Sequence, residues 1–64
     1  MYLTYAAAFT GKNIILYCFD KNLIDTDDFV SFEAIAQTIA MQKQYHVFKV
    51  FKTFSGKCIP LCSN

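Results

Sequence analysis

Tyr45-His46-Val47-Phe48-Lys49-Val50-Phe51-Lys52-Thr53-Phe54 is the stretch on which the architecture turns. As a strand it completes a sheet that carries one helix. As a helix it merges with the segment before it into a single rod from Ser31 to Phe54. Aromatic rings recur at Tyr45, Phe48, Phe51 and Phe54, with Lys49 and Lys52 between them. A spacing of three fits neither the strand period of two nor the helix period of 3.6. The extended helical stripe of Lys43, His46, Val47, Val50, Phe51 and Phe54 keeps only a crude heptad. The density of β-branched and aromatic residues favours the strand. Rings then project from both of its faces. Lys49 falls beside Val47 and Phe51, and Lys52 beside Val50 and Phe54. One face meets a core, and the other needs a second layer, a partner or a ligand.

Working outward, the segment before this run reads as a helix from Phe32 to about Lys43. Ser31 is a suitable N-cap, and Glu33 sits in the first turn, where a negative charge suits the helix dipole. Phe32, Ile35, Ala36, Ile39 and Ala40 form one apolar stripe. Asp27 offers an earlier start. Asp20 to Val30 is polar and acidic and reads as a loop into the helix. The N-terminal part reads as a hairpin. Apolar runs at Tyr2–Phe9 and Ile14–Phe19 flank Thr10-Gly11-Lys12-Asn13, whose Gly and Asn tolerate positive φ. The second run, Ile-Ile-Leu-Tyr-Cys-Phe, is apolar on both faces, as in a central or doubly covered strand. Beyond the decisive run, Ser55-Gly56-Lys57 is a turn, and Cys58–Leu61 is a short edge strand limited by Pro60. The expected fold is α+β: a small antiparallel sheet with one helix packed on one face, in the order β-β-α-β(-β).

The chain has 64 residues, a single domain over residues 1–64. A core of this size rarely supplies more than about 3–5 kcal/mol. Hydrophobic residues make up 55% of the chain, seven of them Phe and four Tyr. That is more apolar side chain than so small an interior hides, so self-association into a homo-oligomer is expected. The net charge of +1 conceals a division. Residues 1–33 carry two lysines and all five acids, and residues 34–64 carry four lysines and no acid. The two halves attract each other in the fold or in a head-to-tail dimer, or mark a partner. No basic leader and no apolar span long enough for a bilayer is visible, so the expectation is a soluble cytoplasmic protein without a membrane role. Three cysteines, Cys18, Cys58 and Cys62, are an odd count and read as free thiols. In a straight strand Cys58 and Cys62 stand too far apart to bond, and a turn at Pro60 would bring them together.

Chemistry-bearing patterns are sparse. Cys58-x3-Cys62 with His46 and Cys18 is not a zinc spacing. The acidic run lacks the glycine that a calcium loop needs. No nucleophile–base signature and no glycine-rich phosphate loop is present, and a chain this short has little room for a concave pocket. The expectation is therefore no enzyme, no cofactor, no catalytic residue and no metal site. A single-stranded nucleic-acid binder on the 45–54 strand is the alternative, with Lys43, Lys49, Lys52 and Lys57 for phosphates and Phe48, Phe51 and Phe54 for bases. Against it stand the absence of arginine, the near-zero net charge and the division of the lysines over two faces.

A protein partner is the better fit, because aromatic side chains dominate interface hot spots. The candidate anchors are Phe48, Phe51 and Phe54, with Lys49 and Lys52 as orienting charges. The hairpin, the Ser-Phe-Glu-Ala-Ile-Ala helix start at 31–36 and the Val-Phe-Lys-Val strand at 47–50 together resemble small bacteriophage-encoded proteins. That resemblance implies binding to, and inhibition of, a host enzyme such as a defence nuclease, a toxin or a polymerase.

Overall fold

The computed structural model describes residues 4–61. Two strands, β1 (Tyr5–Thr10) and β2 (Asn13–Cys18), lead through a 3-10 turn at Lys21–Leu23 into helix α1 (Asp27–Lys43). Strands β3 (His46–Lys52) and β4 (Cys58–Pro60) follow. The four strands form one sheet in the order β1-β2-β3-β4. The α+β class and the β-β-α-β-β order are as expected.

The β1–β2 hairpin closes through Gly11 and Lys12, with Thr10 opposite Asn13. Gly11 has φ +56, whereas Lys12 is not among the positive-φ residues. Positive φ at the first central position only is the type II′ pattern, whose twist suits a two-residue hairpin.

The sheet is mixed, not wholly antiparallel as expected. β1–β2 and β3–β4 are antiparallel, but β2 and β3 run parallel, from Asn13 opposite His46 to Cys18 opposite Phe51. The reason lies in the connection. The 17 residues of α1 rise about 25 Å at 1.5 Å each, enough to carry the chain back along a strand of six residues. β3 therefore starts at the end where β2 started, and the two must be parallel.

Helix α1 begins five residues before the expected Phe32. Thr26, not Ser31, is the N-cap: its Oγ1 accepts from the Phe29 N–H at 3.4 Å and donates to the Leu23 carbonyl at 2.6 Å. Asp27 and Asp28 occupy the first turn, where the dipole favours acids. The early start adds Phe29, which becomes the largest buried side chain, and turns the buried stripe to Phe29, Phe32, Ala36, Ile39 and Ala40. Ile35, expected in that stripe, is 62% exposed. The helix ends at Lys43, as expected. Gln44 adopts φ 59, and the Gln44 and Tyr45 N–H groups both donate to the Ala40 carbonyl. This left-handed cap excludes the single rod from Ser31 to Phe54.

β3 spans His46–Lys52, shorter at both ends than the expected 45–54 run. Its exit is a turn in which the Thr53 hydroxyl accepts from the Lys57 N–H at 3.1 Å and Gly56 takes φ +86. β4 contains Pro60 in extended conformation. Cys62 and the start of the expected first strand, Tyr2 and Leu3, lie outside the described residues.

The core is small: Ile14, Leu16 and Cys18 from β2 against Phe29, Ala36 and Ala40 from α1. Ala36 and Ala40, one turn apart, let the helix approach the sheet closely. Tyr5 on β1 completes an aromatic cluster, with its ring 5.8 Å from Phe29 and 4.6 Å from Phe32. No polar or charged side chain is buried among the described residues.

Three substitutions test these local readings in urea unfolding. Thr26→Ala loses about 1 kcal/mol, the usual value of a cap. Ser31→Ala changes stability by less than about 0.5 kcal/mol, because Ser31 is an exposed mid-helix residue. Gln44→Gly gains about 0.5–1 kcal/mol by removing a side chain from a left-handed site.

Candidate partner-binding surface

The register assigns each residue to a face. Cross-strand partners share a face, and neighbours along a strand alternate. The face under α1 carries Tyr5, Ala7 and Phe9 from β1, Ile14, Leu16 and Cys18 from β2, and Val47, Lys49 and Phe51 from β3. The opposite face has no element over it among the described residues. It presents Ala6 and Ala8 from β1, Ile15 and Tyr17 from β2, Phe48, Val50 and Lys52 from β3, and Cys58 and Pro60 from β4.

The five sequence-predicted residues are thus divided. Phe48 and Lys52 stand on the open face. Phe51 and Lys49 stand on the helix-covered face, which they were not expected to occupy if all three phenylalanines anchor one partner. Lys49 extends to α1, where its Nζ lies 3.4 Å from Glu33 Oε1. That contact is the meeting point of the acidic and basic halves of the chain. Phe51 lies opposite Cys18 and Ile59. Phe54 follows β3 in the turn and stands fully in solvent, at 111% of its reference exposure.

Two neighbours make the open face specific. The rings of Tyr17 and Phe19 stack in near-parallel planes, with centroids 6.5 Å apart and an angle of 12°. Lys52 Nζ lies 5.9 Å from the Tyr17 ring centroid, within cation–π range. Lys52 therefore covers an aromatic ring and contributes the only lysine on this face among β-strand residues. Ile15, Tyr17 and Phe19 were not among the predicted site residues. Their signal was present in the second apolar run, whose residues were apolar on both faces.

Beside this face a cleft of about 660 Å³ opens at the end of the sheet, with Phe19, Asp20, Lys21, Phe51 and Phe54 among its lining residues. The expectation that the chain has little room for a concave pocket is corrected here. The parallel pairing puts the carboxyl ends of β2 and β3 side by side, and the segments leaving them diverge and form the walls. Clefts of this size lie within the range that holds a small ligand or an inserted side chain. A smaller, shallower concavity lined by Phe19, Lys52, Thr53 and Phe54 connects the cleft to the open face.

Groups capable of catalysis are dispersed. His46 is opposite Asn13 and Cys18 is opposite Phe51, so the imidazole and the buried thiol sit at opposite ends of the sheet, about 16 Å apart at 3.3 Å per residue. The Cys18 thiol donates to the Asp20 carbonyl, and Cys58 is exposed. No group of three His, Cys, Asp or Glu side chains able to hold a metal occurs among the described residues. No helix among them is long and apolar enough to cross a membrane. No family model, curated protein or solved structure matches the chain.

The two phenylalanines that were grouped by sequence separate by stability. Phe54→Ala leaves the unfolding free energy within about 0.5 kcal/mol. Phe51→Ala loses about 1 kcal/mol, because its ring is half-buried on the helix-covered face. Urea titration of both variants checks this.

Proposed function

We propose that the protein is a non-enzymatic binding module that docks on a larger protein and inhibits or modulates it. The observation that carries this reading is the uncovered apolar surface of Ile15, Tyr17, Phe19, Phe48 and Phe54, with a cleft at one end. Half-exposed Phe48 and fully exposed Phe54 are the anchors, and the cleft beside Phe54 accepts an apolar side chain of the partner. Lys52 supplies an orienting charge at the rim. Anchors that fill pockets, surrounded by contacts that exclude water, are the usual source of affinity in such interfaces. The setting implied by the resemblance to small bacteriophage-encoded proteins is a host or defence enzyme as the partner, met in the cytoplasm.

The nucleic-acid alternative is weaker on this geometry. Lys49 is committed to Glu33, which leaves a single strand lysine beside the exposed rings. A phosphate-tracking groove needs several.

Immobilised protein exposed to host lysate tests the proposal. The partner it retains is lost with Phe48→Ala or Phe54→Ala, each of which weakens binding at least about 30-fold, as removal of a hot spot does. Raising salt from about 50 to 200 mM changes retention less than about threefold, whereas nucleic acid held by several phosphate contacts is weakened far more. Retention that survives both alanine variants, or that collapses with salt, sinks the proposal.

A further inference from the structure

The two edges of the sheet are unequal. β4 is three residues long, contains Pro60 and is preceded by Lys57, the features that discourage edge pairing. β1 has six residues, Tyr-Ala-Ala-Ala-Phe-Thr, with no charge, no proline and no bulge in its register with β2. An edge of that kind is a template for another strand.

The hydrogen-bond parity of β1 says which groups are free. The Phe19 N–H donates to the Thr4 carbonyl at 2.9 Å, so Thr4 faces β2. Alternation then turns Ala6, Ala8 and Thr10 toward β2 and leaves the N–H and C=O groups of Tyr5, Ala7 and Phe9 pointing out of the sheet. We infer that β1 pairs antiparallel with β1 of a second copy about a two-fold axis at Ala7, making a continuous eight-stranded sheet. Among antiparallel registers that join outward-facing residues, only the one centred on Ala7 uses all three on both chains. It sets Ala7 opposite Ala7, Tyr5 opposite Phe9 and Phe9 opposite Tyr5. Each such pair exchanges two hydrogen bonds, about six in all. The arrangement is self-complementary, as a two-fold interface must be.

The side chains fit the same axis. Phe9 lies on the helix-covered face opposite Ile14, yet is 58% exposed, because α1 packs over β2 and β3. The proposed register places the partner's Tyr5 ring beside it. On α1, Phe32 leans toward β1 through Tyr5, while Glu33 leans toward β3 through Lys49. Ile35 and Ile39 follow Phe32 at i+3 and i+7, so they lie on the side of the helix that borders the β1 edge. Ile35, with 62% of its surface exposed, then faces the seam between the two helices. This edge is separate from the open face, and the dimer stands or falls independently of what that face binds.

Sedimentation and disulfide trapping test the inference. The wild-type chain sediments as a dimer with a Kd at or below about 100 µM. Ala7→Pro removes an outward N–H, which an edge strand tolerates, and weakens the dimer at least about 100-fold with an unchanged circular dichroism spectrum. In a Cys58→Ser, Cys62→Ser background, Ala7→Cys oxidises to a covalent dimer, since its expected Cα separation of about 5.5 Å suits a disulfide. Ala6→Cys, which faces Ala8 of the second copy, cross-links much more slowly. If Ala7→Pro unfolds the chain, the contrast between the two cysteine variants decides. A wild-type monomer, a folded Ala7→Pro dimer, or equal cross-linking at positions 6 and 7 overturns the inference.

Discussion

Helix α1 covers one face of β2 and β3, and the remaining structure follows from that contact. Ile14, Leu16 and Cys18 are fully buried because Phe29, Ala36 and Ala40 lie against them. A single helix of 17 residues spans the length of the sheet once. It therefore returns the chain to the start of β2, makes β3 parallel to it, and brings the carboxyl ends of both strands together. It also leaves one sheet face and the outer side of β1 without cover. The cleft, the aromatic face and the free edge are three consequences of one packing arrangement.

The energetics explain why such surfaces persist. A core of six buried side chains gives a domain of this size only a few kcal/mol of net stability. Enlarging the core would need a second layer over Ile15, Tyr17 and Phe48, and the described chain has no further element to provide it. Covering these rings by association removes apolar surface from water without lengthening the chain. The two exposed regions suit different occupants. The β1 edge is uncharged and self-complementary, as the proposed pairing with a second copy requires. The open face is aromatic, carries Lys52 and ends in a cleft, as the proposed docking on a different protein requires.

The decisive aromatic run shows how far the residues themselves were informative. The strand assignment of His46–Lys52, the hairpin at Gly11 and the helix end at Lys43 follow from local preferences: β-branched residues, a positive-φ glycine and the end of a periodic stripe. The helix start did not follow, because Thr26 and Ser31 are both good caps, each with acid in its first turn, and the burial of Phe29 decides for the earlier one. Ile35 was assigned to the core for the same reason: moving the helix start redefines which stripe meets the sheet. The candidate site was half legible. Rings on both faces of the 45–54 run signalled an uncovered surface, but the residues that join it, Tyr17 in β2 and Phe19 just after it, are its neighbours only through strand pairing.

The β-branched and aromatic residues of β2 and β3 and the helical stripe between them determined an α+β chain with more apolar surface than one small core can hold. Those are local properties, set by side-chain type and by the helical period of 3.6 residues. The direction of β3 relative to β2, which face of β3 the helix covers, the cleft beside Phe54 and the outward parity of Tyr5, Ala7 and Phe9 were decided only in three dimensions. They depend on where a helix of given length returns the chain and on which hydrogen bonds the neighbouring strand has already taken.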